Sequence, residues 1–249
     1  MPAGDEALLR RLGLMLGCVL AATPTCGHTE GGLGGYLAVT TDYVLRGVSQ
    51  TRGAAALQGD LHYENANRWF VGAWASTIDL NPGPGPTLEL NAYAGLNRSL
   101  GTAWNTRLTA VHYAYPDDSE VLRYDYDELI GSLSFRDRLA VSVAWSPNTS
   151  RYATYQVARN RTAFNYDLVG QWPLTGPLAV AGGGGDYDLD ELFGTGYGYW
   201  NVSLVWALPH LQFELGLYAT SGEAEELFGH ETTGQRWSLT AIWRFPSTR

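Results

Sequence analysis

Asp42, Arg46, Asp60, Glu89, Arg107, Glu128, Asp167 and Glu214 share one property. Each is a full charge in the middle of a stretch where apolar and polar residues alternate, on the polar side of that alternation. Carboxylates and guanidiniums placed so can close on one another as ion pairs, or line a passage and bias which ions enter it. Asp42 and Arg46 fall on one face of one strand, roughly 13 Å apart at about 3.3 Å per residue, too far to pair. A hairpin turning at Gly53 would bring Arg46 opposite Asp60 on the neighbouring strand. That pair reads either as a structural ion pair inside a barrel or as an eyelet that selects ions.

Other chemistry is weaker. Asp186-Tyr-Asp-Leu-Asp-Glu191 has the spacing of the first half of a calcium loop, but Glu191 stands where the loop's sharp turn needs Gly. A solvated acidic turn is the better reading. His28, His62, His112, His210 and His230 show no metal-ligand spacing, so no metal site and no cofactor is assigned. His112 is the one candidate for a hydrolase built on a barrel wall. Its parity groups it with Trp104, Leu108 and Ala110, which reads as an interfacial histidine. No G-x-S-x-G elbow occurs, and Gly182 to Gly185 lack the Lys and Ser/Thr of a phosphate loop. No catalytic residue follows, and an enzyme is not expected.

The elements that must hold these charges are strands. Leu37 and Val39 alternate with Ala38 and Thr40; Leu215 and Leu217 with Glu214; Trp237, Leu239, Ala241 and Trp243 with Arg236, Ser238, Thr240 and Arg244. A period of two with one greasy and one polar face recurs along the chain. Turn chemistry separates the segments, at Arg52-Gly53, at 81–86, 115–118 and 146–148, and at 174–177 and 220–222. About twelve strands are predicted, near 35–49, 55–64, 69–79, 87–97, 103–114, 124–135, 139–146, 163–172, 178–187, 197–207, 211–220 and 235–245. An even number suits a closed antiparallel barrel. The span 178–187 is the weakest, because Gly182 to Gly185 supply almost no side chains. Connections look short, so a large folded gate is not expected.

Alternation alone does not say which face meets the core. Full charges on the polar face, and Trp and Tyr near the ends of the greasy face, favour a barrel turned inside out, with lipid outside and polar groups inside. Leu37, Val39, Leu61, Leu90, Val141, Trp145, Val202, Leu204, Leu215, Leu239 and Trp243 should then point outward. No stretch is long and apolar enough for a membrane-spanning helix.

Composition agrees. Aromatic residues make up 12% of the 249, with nine Trp and fifteen Tyr, and charged residues only 16%. The net charge is −9 and every basic residue is Arg, which argues against nucleic acid as a partner. The only cysteines are Cys18 and Cys26, so no disulfide framework or thiolate site is available to the rest of the chain. Arg10 and Arg11, the apolar run 12–22 and the small residues after it read as a signal peptide over 1–27, leaving 28–249 as one barrel domain.

Gly35-Tyr-Leu-Ala-Val-Thr-Thr-Asp-Tyr-Val-Leu-Arg-Gly-Val-Ser-Gln-Thr51 resembles the opening signature of the TorF family of porin-like proteins, the Gcw_chp type. Phe70-Val-Gly-Ala-Trp-Ala-Ser76, Glu89-Leu-Asn-Ala-Tyr-Ala-Gly95, Tyr113-Ala-Tyr-Pro116 and Glu128-Leu-Ile-Gly131 follow in the family's order. The resemblance implies a bacterial outer-membrane β-barrel, and supplies neither a substrate nor a catalytic residue. The reading is therefore a porin or narrow channel for small solutes or ions, in contact with outer-membrane lipid. The alternatives are a barrel-wall lipid hydrolase or a structural barrel without transport.

Overall fold

A computed structural model describes residues 31–65, 68–80, 85–116, 124–153 and 156–248. The segment read as a signal peptide, 1–27, lies outside the described residues, as do parts of the turns at 81–86 and 115–118.

Twelve antiparallel strands close into a barrel. They are β1 (Gly32–Thr40), β4 (Ala56–Glu64), β5 (Trp69–Thr77), β6 (Leu88–Leu100), β7 (Trp104–Ala114), β8 (Tyr126–Phe135), β9 (Leu139–Ala153), β10 (Gln156–Pro173), β11 (Leu178–Asp188), β12 (Tyr197–Ala207), β13 (Leu211–Thr220) and β14 (Arg236–Thr248). Each pairs with its neighbour in the chain, and β1 closes on β14, with Thr40 opposite Thr240 and Ala38 opposite Ile242. Closure leaves no edge with unpaired backbone groups, which a strand structure in lipid requires. Two short strands, β2 (Val44–Leu45) and β3 (Val48–Ser49), form a hairpin of their own. Two short helices, α1 (Asp190–Phe193) and α2 (Gly222–Phe228), lie in the connections after β11 and β13.

β1 begins and β14 ends at the same end of the barrel. Connections at that end are tight, such as 136–137, where Arg136 and Asp137 take φ of 51° and 53° and Arg138 N donates to Phe135 O at 3.1 Å. Two residues with positive φ match the strand twist of a hairpin. The longer connections, 41–55, 78–87, 189–196 and 221–235, all lie at the opposite end, called here the loop end.

The eleven residues expected to point outward are all exposed, from Leu90 at 39% to Val39 at 55%. The greasy face is the outer face, and the polar alternates line the interior, where Glu89, Asn91, Asn165 and Ser203 are at most 2% exposed. Glycines on the inner face make room for rings. A Cβ on Gly72 would collide with Tyr93, and one on Gly95 with Phe70. The glycine run 182–185 pairs in full register with β10 and β12, so β11 needs few side chains of its own to be a strand. Arginine at an outer mid-strand position, Leu204→Arg, should cost about 2–4 kcal/mol of barrel stability in lipid vesicles, measured by denaturant titration. The same change at the wet rim should cost little.

The first strand is shorter than its sequence signature. A strand over 35–49 was expected, yet β1 stops at Thr40 and residues 41–55 fold back over the barrel mouth. The reason is local. Arg46 and Gly47 have φ of 50° and 79°, the two left-handed residues of a tight hairpin turn between β2 and β3. Gly within an apparent strand signals such an interruption. The expectation of connections too short for a folded gate is corrected by the same segment.

Candidate functional site

The inward hairpin is built around Asp42. Its carboxylate accepts hydrogen bonds from the hydroxyls of Ser49 and Thr51, and from Arg236 Nη1 of β14 at 2.9 Å. Its backbone carbonyl accepts from Thr40 and Ser238 at 2.9 and 2.8 Å. Gln50 N donates to Tyr43 O at 2.7 Å, closing the base of the hairpin. Ser49 N donates to Thr232 O and Asp79 N to Gln50 O, which ties the hairpin to two other connections at the loop end.

Its side chains join the two halves of the mouth. Tyr43 packs edge-on against Trp74 at 5.5 Å, within an apolar cluster that includes Phe70, Tyr93 and Tyr113. Val48 packs on the other side with Leu189, Leu192, Tyr197 and Ala224, beneath α1 and α2. Between them, at the hairpin tip, Arg46 crosses the interior. Its Nη2 donates to Glu128 Oε1 of β8 at 2.7 Å, and its guanidinium lies 4.3 Å from the ring centroid of Tyr187 on β11. Five strand-to-strand steps around the ring separate β1 from β8. The contact therefore spans the lumen.

Sequence reasoning put Asp60 opposite Arg46, and the structure corrects this. Register does place β1 beside β4, with Tyr36 opposite Asp60. Arg46, however, has left the strand, and its partner is Glu128. Asp60 instead faces His62 Nδ1 and accepts from Tyr93 Oη, both at 2.6 Å. Glu128 also accepts from Tyr113 Oη at 2.8 Å and Ser146 Oγ at 2.9 Å, so its lone pairs are well used. Glu89 accepts from Asn91 Nδ2 at 2.8 Å and Tyr43 Oη at 3.4 Å. Asp167 accepts from Asn165 Nδ2 and from the Tyr199 hydroxyl. Arg107 stacks over Phe70 at 3.9 Å. Glu214 is 6% exposed.

Two interior cations were missed, Arg236 and Arg244. Both share the parity of Ser238 and Thr240 on β14, and that parity was the available signal. With them, the interior charges set out above number, among the described residues, six carboxylates, on Asp42, Asp60, Glu89, Glu128, Asp167 and Glu214, against four guanidiniums, on Arg46, Arg107, Arg236 and Arg244. The acidic excess is thus smaller than the sequence suggested.

On the outer wall, His112 Nδ1 lies 2.8 Å from Asp127 Oδ1, and Asn148 Nδ2 donates to Asp127 Oδ2 at 2.7 Å. The outward neighbours Ala110, Leu129, Trp145 and Pro147 carry no nucleophile. In the acidic turn, Asp188 accepts from Asp190 N at 3.0 Å and Glu191 from Thr162 N at 2.9 Å.

A family model described as "Bacterial protein of unknown function (Gcw_chp)" matches residues 21–229. The chain belongs to that family. No curated protein sequence matches this Gcw_chp chain. Among solved structures it resembles the KdgM porin, with a TM-score of 0.52 at 7% identity, covering 86% of this chain and 99% of that one. It also resembles the NanC porin, with a TM-score of 0.54 at 10% identity, covering 88% and 100%. A KdgM porin structure in complex with disordered oligogalacturonate gives 0.52 at 7%, covering 86% and 99%. At such identities the likeness is one of fold, and it extends over the whole length of those barrels.

Proposed function

We propose that this Gcw_chp protein is a porin-type channel of the bacterial outer membrane, passing small solutes or ions through a lumen narrowed by the 41–55 hairpin. One observation carries the reading: a closed barrel whose outer face is apolar and whose interior is lined by charged side chains, most of them hydrogen-bonded or ion-paired. A barrel kept only as a scaffold has no need of an interior so costly in desolvated charge. The fold shared with porins supports it. On this reading residues 1–27 are a signal peptide removed on export, the tight-turn end faces the periplasm and the hairpin faces outward. Cell fractionation and the mass of the mature chain test that part. Recovery in the inner membrane, or retention of residue 1, would oppose it.

The charges that remain after Arg46–Glu128 and Arg236–Asp42 are four acids and two bases. A passage lined this way favours cations, and less so at high salt. Reversal potentials across a KCl gradient should show potassium over chloride, with the preference shrinking as salt rises. Chloride preference at low salt would contradict the assignment of these side chains to the passage. For a lipid hydrolase, a histidine and a carboxylate do converge on the outer wall, but among the described residues no serine hydrogen-bonds to either. Release of fatty acid from phospholipid vesicles, abolished by His112→Ala, would revive that reading.

A further inference from the structure

Five tryptophans ring the outer wall at the tight-turn end. Trp69, Trp104, Trp172, Trp206 and Trp243 lie at or near the strand ends there, exposed from 39% at Trp69 to 52% at Trp243. Such a belt marks the height at which the apolar core of a membrane gives way to lipid headgroups. At that height the wall is basic on one side only. Arg98 of β6 points outward between Leu96 and Leu100, and Arg136 stands exposed in the turn after β8. Across the barrel the matching positions are Trp172, Leu178, Leu208 and Leu211.

The two arginines flank one aromatic pair. Register sets Arg98 beside Thr106, and Trp104 between Leu100 on one neighbouring strand and Phe135 on the other. The Trp104 and Phe135 rings lie 4.7 Å apart, and the Arg136 guanidinium lies 5.0 Å from the Phe135 ring centroid. Arg136 N donates to Ala103 O at 2.6 Å, which ties its turn to the one before it. Among the described residues neither guanidinium is ion-paired. Asp137, the acid next to Arg136, accepts from Asn105 Nδ2 at 3.1 Å. Arg68 and Arg138 share this end but precede the outward Trp69 and Leu139, and Arg68 Nη1 donates to Ser99 Oγ. They face the mouth and lie outside the pair.

The residue choice carries weight of its own. A two-residue turn with φ of 51° and 53° is best filled by Asn-Gly, so Arg136 stands where its backbone is disfavoured. In a chain of net charge −9, two outward cations at headgroup height run against composition. Guanidinium forks at that height match a phosphate, and their long apolar stems lie along the wall. A headgroup with a cation of its own would set that charge against the pair, so the fitting lipid is one with net negative charge.

We infer that Arg98 and Arg136 hold the phosphate of an anionic phospholipid in the leaflet at the tight-turn end, with the start of its acyl chains against Trp104 and Phe135. The site rests on the barrel lying in a membrane and not on conduction. The test uses the full mature chain, folded in detergent and stripped of lipid, and native mass spectrometry. The probes are dioleoyl phosphatidylglycerol, dioleoyl phosphatidylcholine and free glycerol 3-phosphate. Phosphatidylglycerol should bind about tenfold more tightly than phosphatidylcholine, the scale set by two basic groups near an anionic headgroup. Excess glycerol 3-phosphate should not displace it, because it brings no acyl chain. Arg98→Gln and Arg136→Gln should each cut the preference several-fold and together erase it. Arg98→Lys with Arg136→Lys keeps the charge and should keep most of the preference. Arg161→Gln, at an exposed arginine of the loop end, should leave it unchanged. Heat-modifiable gel mobility verifies folding of each variant, and the single variants carry the test if the double Gln variant does not fold. Equal binding of the two lipids, a preference that survives the Gln changes, an equal loss on Arg161→Gln, or displacement by glycerol 3-phosphate overturns the site. Bilayer conductance of the same samples reports separately on the channel, so lipid preference without conductance would sink the channel and leave the site standing.

Discussion

Replacing residues 44–49 by two glycines should raise single-channel conductance several-fold. Gln50 N already donates to Tyr43 O, so two glycines can turn directly between those residues, at the loss of the Ser49 bonds to Asp42 and Thr232. Asp42 would keep Arg236 and Thr51, and the barrel wall would be untouched. The change removes Arg46 from the lumen axis and Val48 from the packing under the two short helices. Because the lost segment makes no strand of the barrel, stability in denaturant should fall by little. Unchanged conductance in a folded variant would mean that the hairpin does not narrow the path.

Arg46→Ala should act on the hairpin rather than on the barrel. Breaking a buried ion pair from one side costs about 3–5 kcal/mol when the other charge is left behind. Here the charge left behind, on Glu128, still accepts from Tyr113 and Ser146. The hairpin can also swing out locally, which is cheaper than unfolding twelve strands. A loss of that size is enough to shift a closed-to-open equilibrium by roughly 10²–10⁴. We expect long open bursts in bilayer recordings, with the denaturation midpoint of the barrel nearly unchanged. Glu128→Gln should give similar bursts, and the double variant no more than either single one. Additive effects would show that the two side chains act apart.

The strands were legible in the sequence because period-two alternation in lipid is imposed by two solvents, one on each face. The spans 197–207 and 211–220 coincide with β12 and β13 for that reason. Even the glycine run of β11 was recoverable, since its neighbours on both sides supply the ladder. The site was less legible. Parity tells which face Asp60, Glu89, Glu128 and Glu214 occupy, but not which residue across the lumen each meets. That depends on the number of strands between them and on how far a loop folds inward. Arg46 shows the limit: it shares the alternation of strand one, and only the following Gly47, needed at φ 79°, betrays that the chain has turned.

The central claim is that this barrel conducts and that its acidic excess biases what passes. Single-channel recording of the full mature chain in planar bilayers tests it most directly, on protein whose folding is verified by its heat-modifiable gel mobility. The expected result is discrete conductance steps that carry potassium in preference to chloride at low salt. A folded barrel that shows no steps, or steps that carry chloride preferentially, would contradict it.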